Sequence, residues 1–103
     1  MTRDQVRQMK ANVPSYIPLA VMTKKFVVNN RGYSTADTPT LEAGEIVFIE
    51  EYEFNKSTVM LSVLRLKDGV MYVVGASNIQ FQEYIPCKLM YKLLDQARGR
   101  LNS

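Results

Sequence analysis

The sequence predicts a single mainly β domain with a helix at each end. A length of 103 residues is typical of one domain. Runs rich in β-branched and aromatic residues predict strands, and they occupy 44–52, 57–66 and 70–75. The last two runs are joined through Asp68 and Gly69, a dipeptide typical of tight hairpin turns. Apolar residues at helical spacing near both ends predict the two flanking helices.

The N-terminal segment, 1–13, predicts a short helix over 3–11. Thr2 and Gln5 form a capping-box pattern. Val6 and Met9 follow at helical spacing. The helix is expected to end before Pro14, because the residue before a proline is disfavoured in the helical region.

The stretch from Pro14 to Gly44 contains few regular patterns. Pro14 and Pro18 predict an extended connector, and a strand is expected over 24–29. A long loop is expected to follow until Gly44. Loops of this length in compact domains are often functional.

The first central strand, 45–54, carries apolar residues on both faces. Regular alternation predicts Val47 and Ile49 on one face. It predicts four apolar residues on the other face: Ile46, Phe48, Tyr52 and Phe54. A strand that is buried on both faces shows this pattern.

The C-terminal segment predicts a 3₁₀ turn over 76–79 and then a helix over 86–98. Pro86 suits the first helical turn and Gly99 suits the position after the last turn. The predicted helix carries an apolar stripe of five residues: Leu89, Met90, Leu93, Leu94 and Ala97. This stripe is expected to cover an open end of a barrel, or else to form a contact with a second copy of the chain, as a homodimer, or with a partner protein.

Residues 24–81 resemble an SH3-like barrel. The run Leu41-Glu42-Ala43-Gly44-Glu45 is similar to the family's apolar plug and turn, and the Asp68–Gly69 turn stands where the distal loop would be. The segment 75–79 is similar to the closing turn. The resemblance implies a five-stranded antiparallel barrel with the two helices as extensions.

The residues with which SH3 domains grip proline-rich peptides are missing. The resemblance places Asn29 and Arg31 at the positions of two binding tyrosines, and the chain contains no tryptophan. Ala76 stands at the position of the groove proline and Ile79 at that of the last tyrosine. A groove without aromatic side chains cannot grip a polyproline helix, so this activity is not expected.

The composition argues against catalysis and against a cofactor. The chain has no histidine and a single cysteine, Cys87, which removes the usual general base and excludes a Cys/His zinc site. On a regular strand Glu51 and Glu53 share one face and Glu50 lies opposite. This cluster is expected to be a solvated strand end rather than a metal site. We therefore expect a protein that is not an enzyme.

The location predicted from the sequence is the cytoplasm. Cys87 cannot form an intramolecular disulfide, which fits a reducing compartment. No apolar run reaches the roughly 18 residues of a membrane span. The first residues also lack the apolar core of a signal peptide.

Charge is divided along the chain. Residues 1–31 hold six bases and one acid, 32–53 hold six acids and no base, and 54–103 hold seven bases and three acids. This division is expected either to be the ordinary charge distribution of a solvated fold or to form a bipolar surface that orients a partner. The leading prediction is a protein-interaction module that binds or regulates a larger protein, as phage and bacterial accessory or inhibitor proteins do. Its candidate contacts are Tyr33, Asp37, Glu42, Glu50, Glu51, Tyr52 and Glu53.

The alternative prediction is a nucleic-acid-binding domain of the KOW or Sm type. The isoelectric point near 9.1 fits this activity. The bases of the first helix recur at helical spacing, so they would share one basic N-terminal face with the bases that follow. This candidate face consists of Arg3, Arg7, Lys10, Lys24, Lys25 and Arg31.

Overall fold

The computed structural model describes residues 1–10, 15–27 and 40–101. In chain order its elements are α1 (Arg3–Lys10), β1 (Tyr16–Met22), β2 (Phe26–Val27), β3 (Thr40–Leu41), β4 (Ile46–Phe54), β5 (Val59–Arg65), β6 (Met71–Gly75), a 3₁₀ turn (Ala76–Asn78), β7 (Ile79–Pro86) and α2 (Cys87–Leu101). The prediction of a mainly β chain with a helix at each end is confirmed. The part of the predicted long loop before Thr40 lies outside the described residues.

Five strands form one antiparallel sheet in the order β6-β5-β4-β1-β7, and β2 pairs with β3 in a separate ribbon. The predicted hairpin is present, because β5 pairs antiparallel with β6. Gly69 in its turn has a φ of 68°, which a residue without Cβ adopts at no steric cost. β6 and β7 form the two edges of the sheet. The described strands therefore do not close the barrel that the resemblance implied.

The prediction for the segment before the long loop was wrong in part. The connector predicted around Pro18 is a strand, Tyr16–Met22. Of the strand predicted over 24–29, residues 24–27 are described, and Phe26–Val27 form a strand. A proline cannot donate a backbone hydrogen bond, which usually excludes it from the middle of a sheet. β1 pairs with β4 only from Leu19 to Val21, so at Pro18 it pairs with β7 alone. The proline therefore interrupts no ladder on the β4 side.

A bulge in β4 overturns the predicted alternation. Ile49 lies opposite Val63, and Glu51 lies opposite Ser62, so Glu50 is an extra residue with no partner in β5. The side chains after the bulge change face. Tyr52 and Phe54 therefore pack against the same apolar cluster as Val47 and Ile49, not against that of Phe48.

The larger apolar cluster fills the inner face of the sheet. Leu61 and Val63 of β5 are fully buried there. α1 covers this face with Val6 and Met9, which are also buried. The predicted capping box is present, because the Thr2 amide donates to Gln5 Oε1 at 2.9 Å and the Gln5 amide donates to Thr2 Oγ1 at 3.2 Å.

α2 covers part of the outer face of the sheet. Met90 and Leu94 are buried with Phe48, and Leu93 packs beside them. Leu89 of the predicted stripe stays 41% exposed. Two predicted helix limits were wrong: Pro86 ends β7 by pairing with Tyr16, and the helix runs through Gly99 to Leu101. The apolar stripe of α2 therefore packs on the sheet of its own chain.

Candidate protein-interaction surface

One part of the outer sheet face is not covered by α2. It lies on β4, β5 and β6 and is called here the outer β4–β6 face. Its members are Glu50, Glu51, Glu53, Met60, Ser62, Met71 and Val73. Strand register sets their arrangement. Glu51 lies opposite Ser62, which lies opposite Val73, and Glu53 lies opposite Met60 in the next row.

The β6 side of this face is apolar and half-exposed. Met71 and Val73 each keep 50% of their surface accessible. Met60 is partly buried beside them. β6 contains no charged residue and no proline, although edge strands usually carry one or the other as protection against pairing. This edge therefore presents an apolar strip to solvent.

The β4 side of the face is acidic. The β4 bulge corrects the prediction for Glu50. Ile49 and Tyr52 both face the inner cluster, so Glu50 beside Ile49 and Glu51 beside Tyr52 both face outward. Glu53 follows on the same side, and all three glutamates are exposed. The bulge thus concentrates three carboxylates along one border of the apolar strip.

Tyr52 does not belong to this surface, contrary to the prediction. Its ring is partly buried against the inner cluster. Burial, together with the neighbouring Tyr84 hydroxyl, raises the pKa of Tyr52 to about 12. The phenol is therefore held in its neutral form on the inner side of β4.

The other predicted acidic contacts lie elsewhere. Glu42 follows β3 and is exposed, and its backbone N–H donates to Glu45 Oε2 at 2.7 Å. Tyr33 and Asp37 lie outside the described residues. Among the described residues, no group of three acidic, cysteine or histidine side chains is placed to hold a metal ion.

The predicted basic face is only partly assembled, and its arginines already have partners. The Arg3 guanidinium donates to the Asn55 carbonyl at 2.5 Å and lies 5.9 Å from the centre of the Phe54 ring. Arg7 lies at the same distance from that ring and 3.8 Å from an Asp4 carboxylate oxygen. Cation–π contact and hydrogen bonds therefore fix α1 to the β4–β5 turn.

The remaining predicted bases do not extend this cluster in the described residues. Lys24 and Lys25 are exposed after β1. Arg31 and the side chain of Lys10 lie outside the part of the chain that is described.

A polar network that the sequence did not predict lies at the β5–β6 turn. The Arg65 guanidinium donates to Asp68 Oδ2 at 2.5 Å and to the Tyr72 hydroxyl at 3.0 Å. It also donates to the Thr40 carbonyl at 2.9 Å and lies 3.5 Å from Glu45 Oε2. The network therefore joins the hairpin turn to β3.

The titration of this network follows from its contacts. Burial opposes the ionisation of Asp68, but hydrogen bonds from Arg65, the Val70 amide and Tyr72 outweigh it, so the pKa of Asp68 is lowered. The hydrogen bond to Asp68 raises the pKa of Arg65 further. The Arg65 side chain is only 11% exposed. The network is a fixed structural tie rather than an accessible site.

Comparisons with protein-family models, with curated proteins and with solved structures find no match to this chain. Across the described residues, no helix is both long and apolar enough to cross a membrane.

Proposed function

We propose that this protein is a non-catalytic interaction module that binds a larger protein through the outer β4–β6 face. One observation supports this proposal most strongly. Met71 and Val73 form an exposed apolar edge on β6, and the β4 bulge brings three glutamates onto the same surface. An exposed apolar patch with a polar border is typical of protein-binding surfaces. The acidic border selects a partner that carries basic residues.

We also propose that the fold is of the SH3-like type. Two features support this: the strand order β6-β5-β4-β1-β7 and the 3₁₀ turn that leads from β6 into β7. In this proposal β1 takes the place of the first strand, and the β2–β3 ribbon belongs to the long loop after it.

Within the SH3-like proposal, the region used for proline-rich peptides is occupied by the chain itself. The Met1 amino group donates to the carbonyls of Ala76 and Ile79, the two positions that correspond to the groove residues. Arg3 occupies the neighbouring β4–β5 turn. Binding is therefore assigned to a different side of the domain.

The nucleic-acid alternative receives less support from the geometry. Phosphate binding uses clustered, accessible bases, and single-strand binding adds exposed aromatic rings on which the nucleobases stack. Arg3 donates to the backbone carbonyls of Asn55 and Thr58, so it acts within the fold. Arg7 lies 5.9 Å from the Phe54 ring centre, but its side chain is 62% exposed.

The test is affinity capture from a lysate of cells that naturally express the protein, carried out with nuclease. The first variant is Glu51→Lys with Glu53→Lys. The matched control is Glu83→Lys with Asp95→Lys, which changes the net charge equally at exposed positions outside this face. We expect one stoichiometric partner that the wild type and the control retain and the first variant loses.

Two results would contradict the proposed function. One is equal capture by both double variants, because charge on the outer β4–β6 face would then be irrelevant. The other is recovery of nucleic acid in place of a protein when nuclease is omitted, with retention falling steeply as salt rises.

A further inference from the structure

The outer β4–β6 face is wide enough and long enough to hold a short helix. Two strand spacings of about 4.8 Å give a width of about 10 Å, which is about the diameter of a helix. From the Leu64–Met71 row to the Met60–Gly75 row, β5 advances four residues, or roughly 14 Å. A helix covers that length with about nine residues, or two and a half turns.

A helix, α2, already covers the neighbouring part of the outer face of the sheet. α2 lies on it with Met90 and Leu94 buried against Phe48. The Arg98 guanidinium would be about 3.2 Å from a Cβ placed at Gly69, so the end of α2 reaches the β5–β6 turn. Within the described ranges, no helix covers the other half of this layer, which begins beside α2.

No described helix of this chain has a free apolar stripe to fill that space. Val6 and Met9 of α1 are buried in the inner cluster, and Met90 and Leu94 of α2 in the outer one. Among the α2 side chains that the structure describes, the large apolar ones that are exposed are Leu89 and Tyr91, two positions apart. Residues at that spacing do not share a helix face.

We propose that an amphipathic helix of another protein, with basic residues along one flank, binds the outer β4–β6 face. This inference rests on the proposed function. Its apolar stripe packs on Met60, Met71 and Val73. Its Lys or Arg residues lie along one flank, over Glu50, Glu51 and Glu53. Helix-in-groove recognition uses apolar anchors at i, i+3 or i+4, and i+7, and the glutamates set which flank must be basic.

The test uses two displayed libraries of 14-residue peptides with the same residue set. One library has apolar positions at helical spacing and the other has them at every second position. All remaining positions are randomised among Lys, Glu, Ser and Ala. We expect selection on the wild-type protein to enrich the helical library, with Lys concentrated on one flank, and the peptides to gain helical circular dichroism on binding.

Variants then locate the binding site of the selected peptides. We expect at least a tenfold loss of affinity for Val73→Lys and for Glu51→Lys with Glu53→Lys. Glu83→Lys with Asp95→Lys is expected to stay within threefold of the wild type. The denaturation curve of Val73→Lys shows whether this variant folds. If it does not fold, Glu51→Lys with Glu53→Lys still tests the binding site.

The possible results distinguish an error in the proposed helical occupant from an error in the proposed binding surface. Selected peptides from the alternating library that still depend on the outer β4–β6 face would overturn the helical occupant and leave the proposed function standing. Peptides that bind all variants equally would overturn both. Helical peptides without a Lys bias would overturn the role of the glutamates.

Discussion

The inner and outer faces of strands β4, β5 and β6 differ in what covers them. On the inner face Leu61, Val63 and Val74 are fully buried under α1 and the neighbouring strands. On the outer face Met71 and Val73 remain half-exposed beside a row of glutamates. The inner face therefore supplies stability, whereas the half-exposed outer residues contribute less to folding.

The largest expected effect is on the inner face. Leu61→Ala removes a fully buried side chain from the middle of β5. Truncation of a buried leucine leaves a cavity and lowers the free energy of unfolding by about 2–5 kcal/mol. Urea denaturation followed by circular dichroism measures the loss. A decrease below 1 kcal/mol would contradict the assignment of Leu61 to the core.

A smaller loss is expected at the β5–β6 turn. Asp68→Asn removes the charged acceptor of the Arg65 guanidinium and leaves Arg65 with a weaker partner at a mostly buried position. We expect a decrease of about 1–3 kcal/mol at pH 7. Denaturation of wild type and variant under identical conditions gives this difference.

The same pair of proteins tests the titration of Asp68. Its pKa is lower in the folded state than the ordinary value of 3.8. The stabilisation is thus present above that value and is lost as pH falls through the lowered pKa. The stability gap between wild type and Asp68→Asn should therefore narrow below about pH 4. A gap that stays constant down to pH 2 would contradict the ionised network.

Alkaline titration tests on which side of the sheet the Tyr52 side chain lies. Tyrosine ionises near pH 10 in water, whereas the pKa of Tyr52 is raised to about 12. We expect the difference in tyrosinate absorbance between wild type and Tyr52→Phe to appear with a midpoint near 12, provided that circular dichroism shows a folded chain. A midpoint near 10 would indicate an exposed phenol and would contradict the packing of Tyr52 against the inner cluster.

The smallest effect is expected on the outer face. Val73→Thr keeps a β-branched side chain on the exposed edge and removes apolar surface that is already half in water. We expect the free energy of unfolding to change by less than about 0.5 kcal/mol. The same change at the buried Val63 serves as the control and should cost more. Equal losses at both positions would abolish the distinction between the two faces.

Local patterns in the sequence predicted the elements whose partners are close in the chain. The Thr2–Gln5 capping box and the Asp68–Gly69 turn are examples, because three or four residues contain all the required contacts. The strand at Tyr16–Met22 was missed because Pro18 is acceptable only where β1 pairs with β7 alone. That condition depends on a strand more than 60 residues away.

The candidate surface was predicted in part for the same reason. The acidic residues were recognised, but their common face depends on the unpaired Glu50, and a bulge is fixed by cross-strand register rather than by local composition. Met71 and Val73 looked like ordinary strand residues. Their exposure follows from the position of β6 at the sheet edge and from the limited reach of α2.

The most direct test of the outer β4–β6 face uses the methionine methyl groups in an NMR titration with the captured partner or a selected peptide. Met60 and Met71 lie on this face, whereas Met22 and Met90 are buried at 1% exposure on the two sides of the sheet. We expect the ε-methyl signals of Met60 and Met71 to shift or broaden, while those of Met22 and Met90 stay in place. Shifts confined to Met9 in α1, with Met60 and Met71 unchanged, would place the binding site on the other side of the domain and contradict the account.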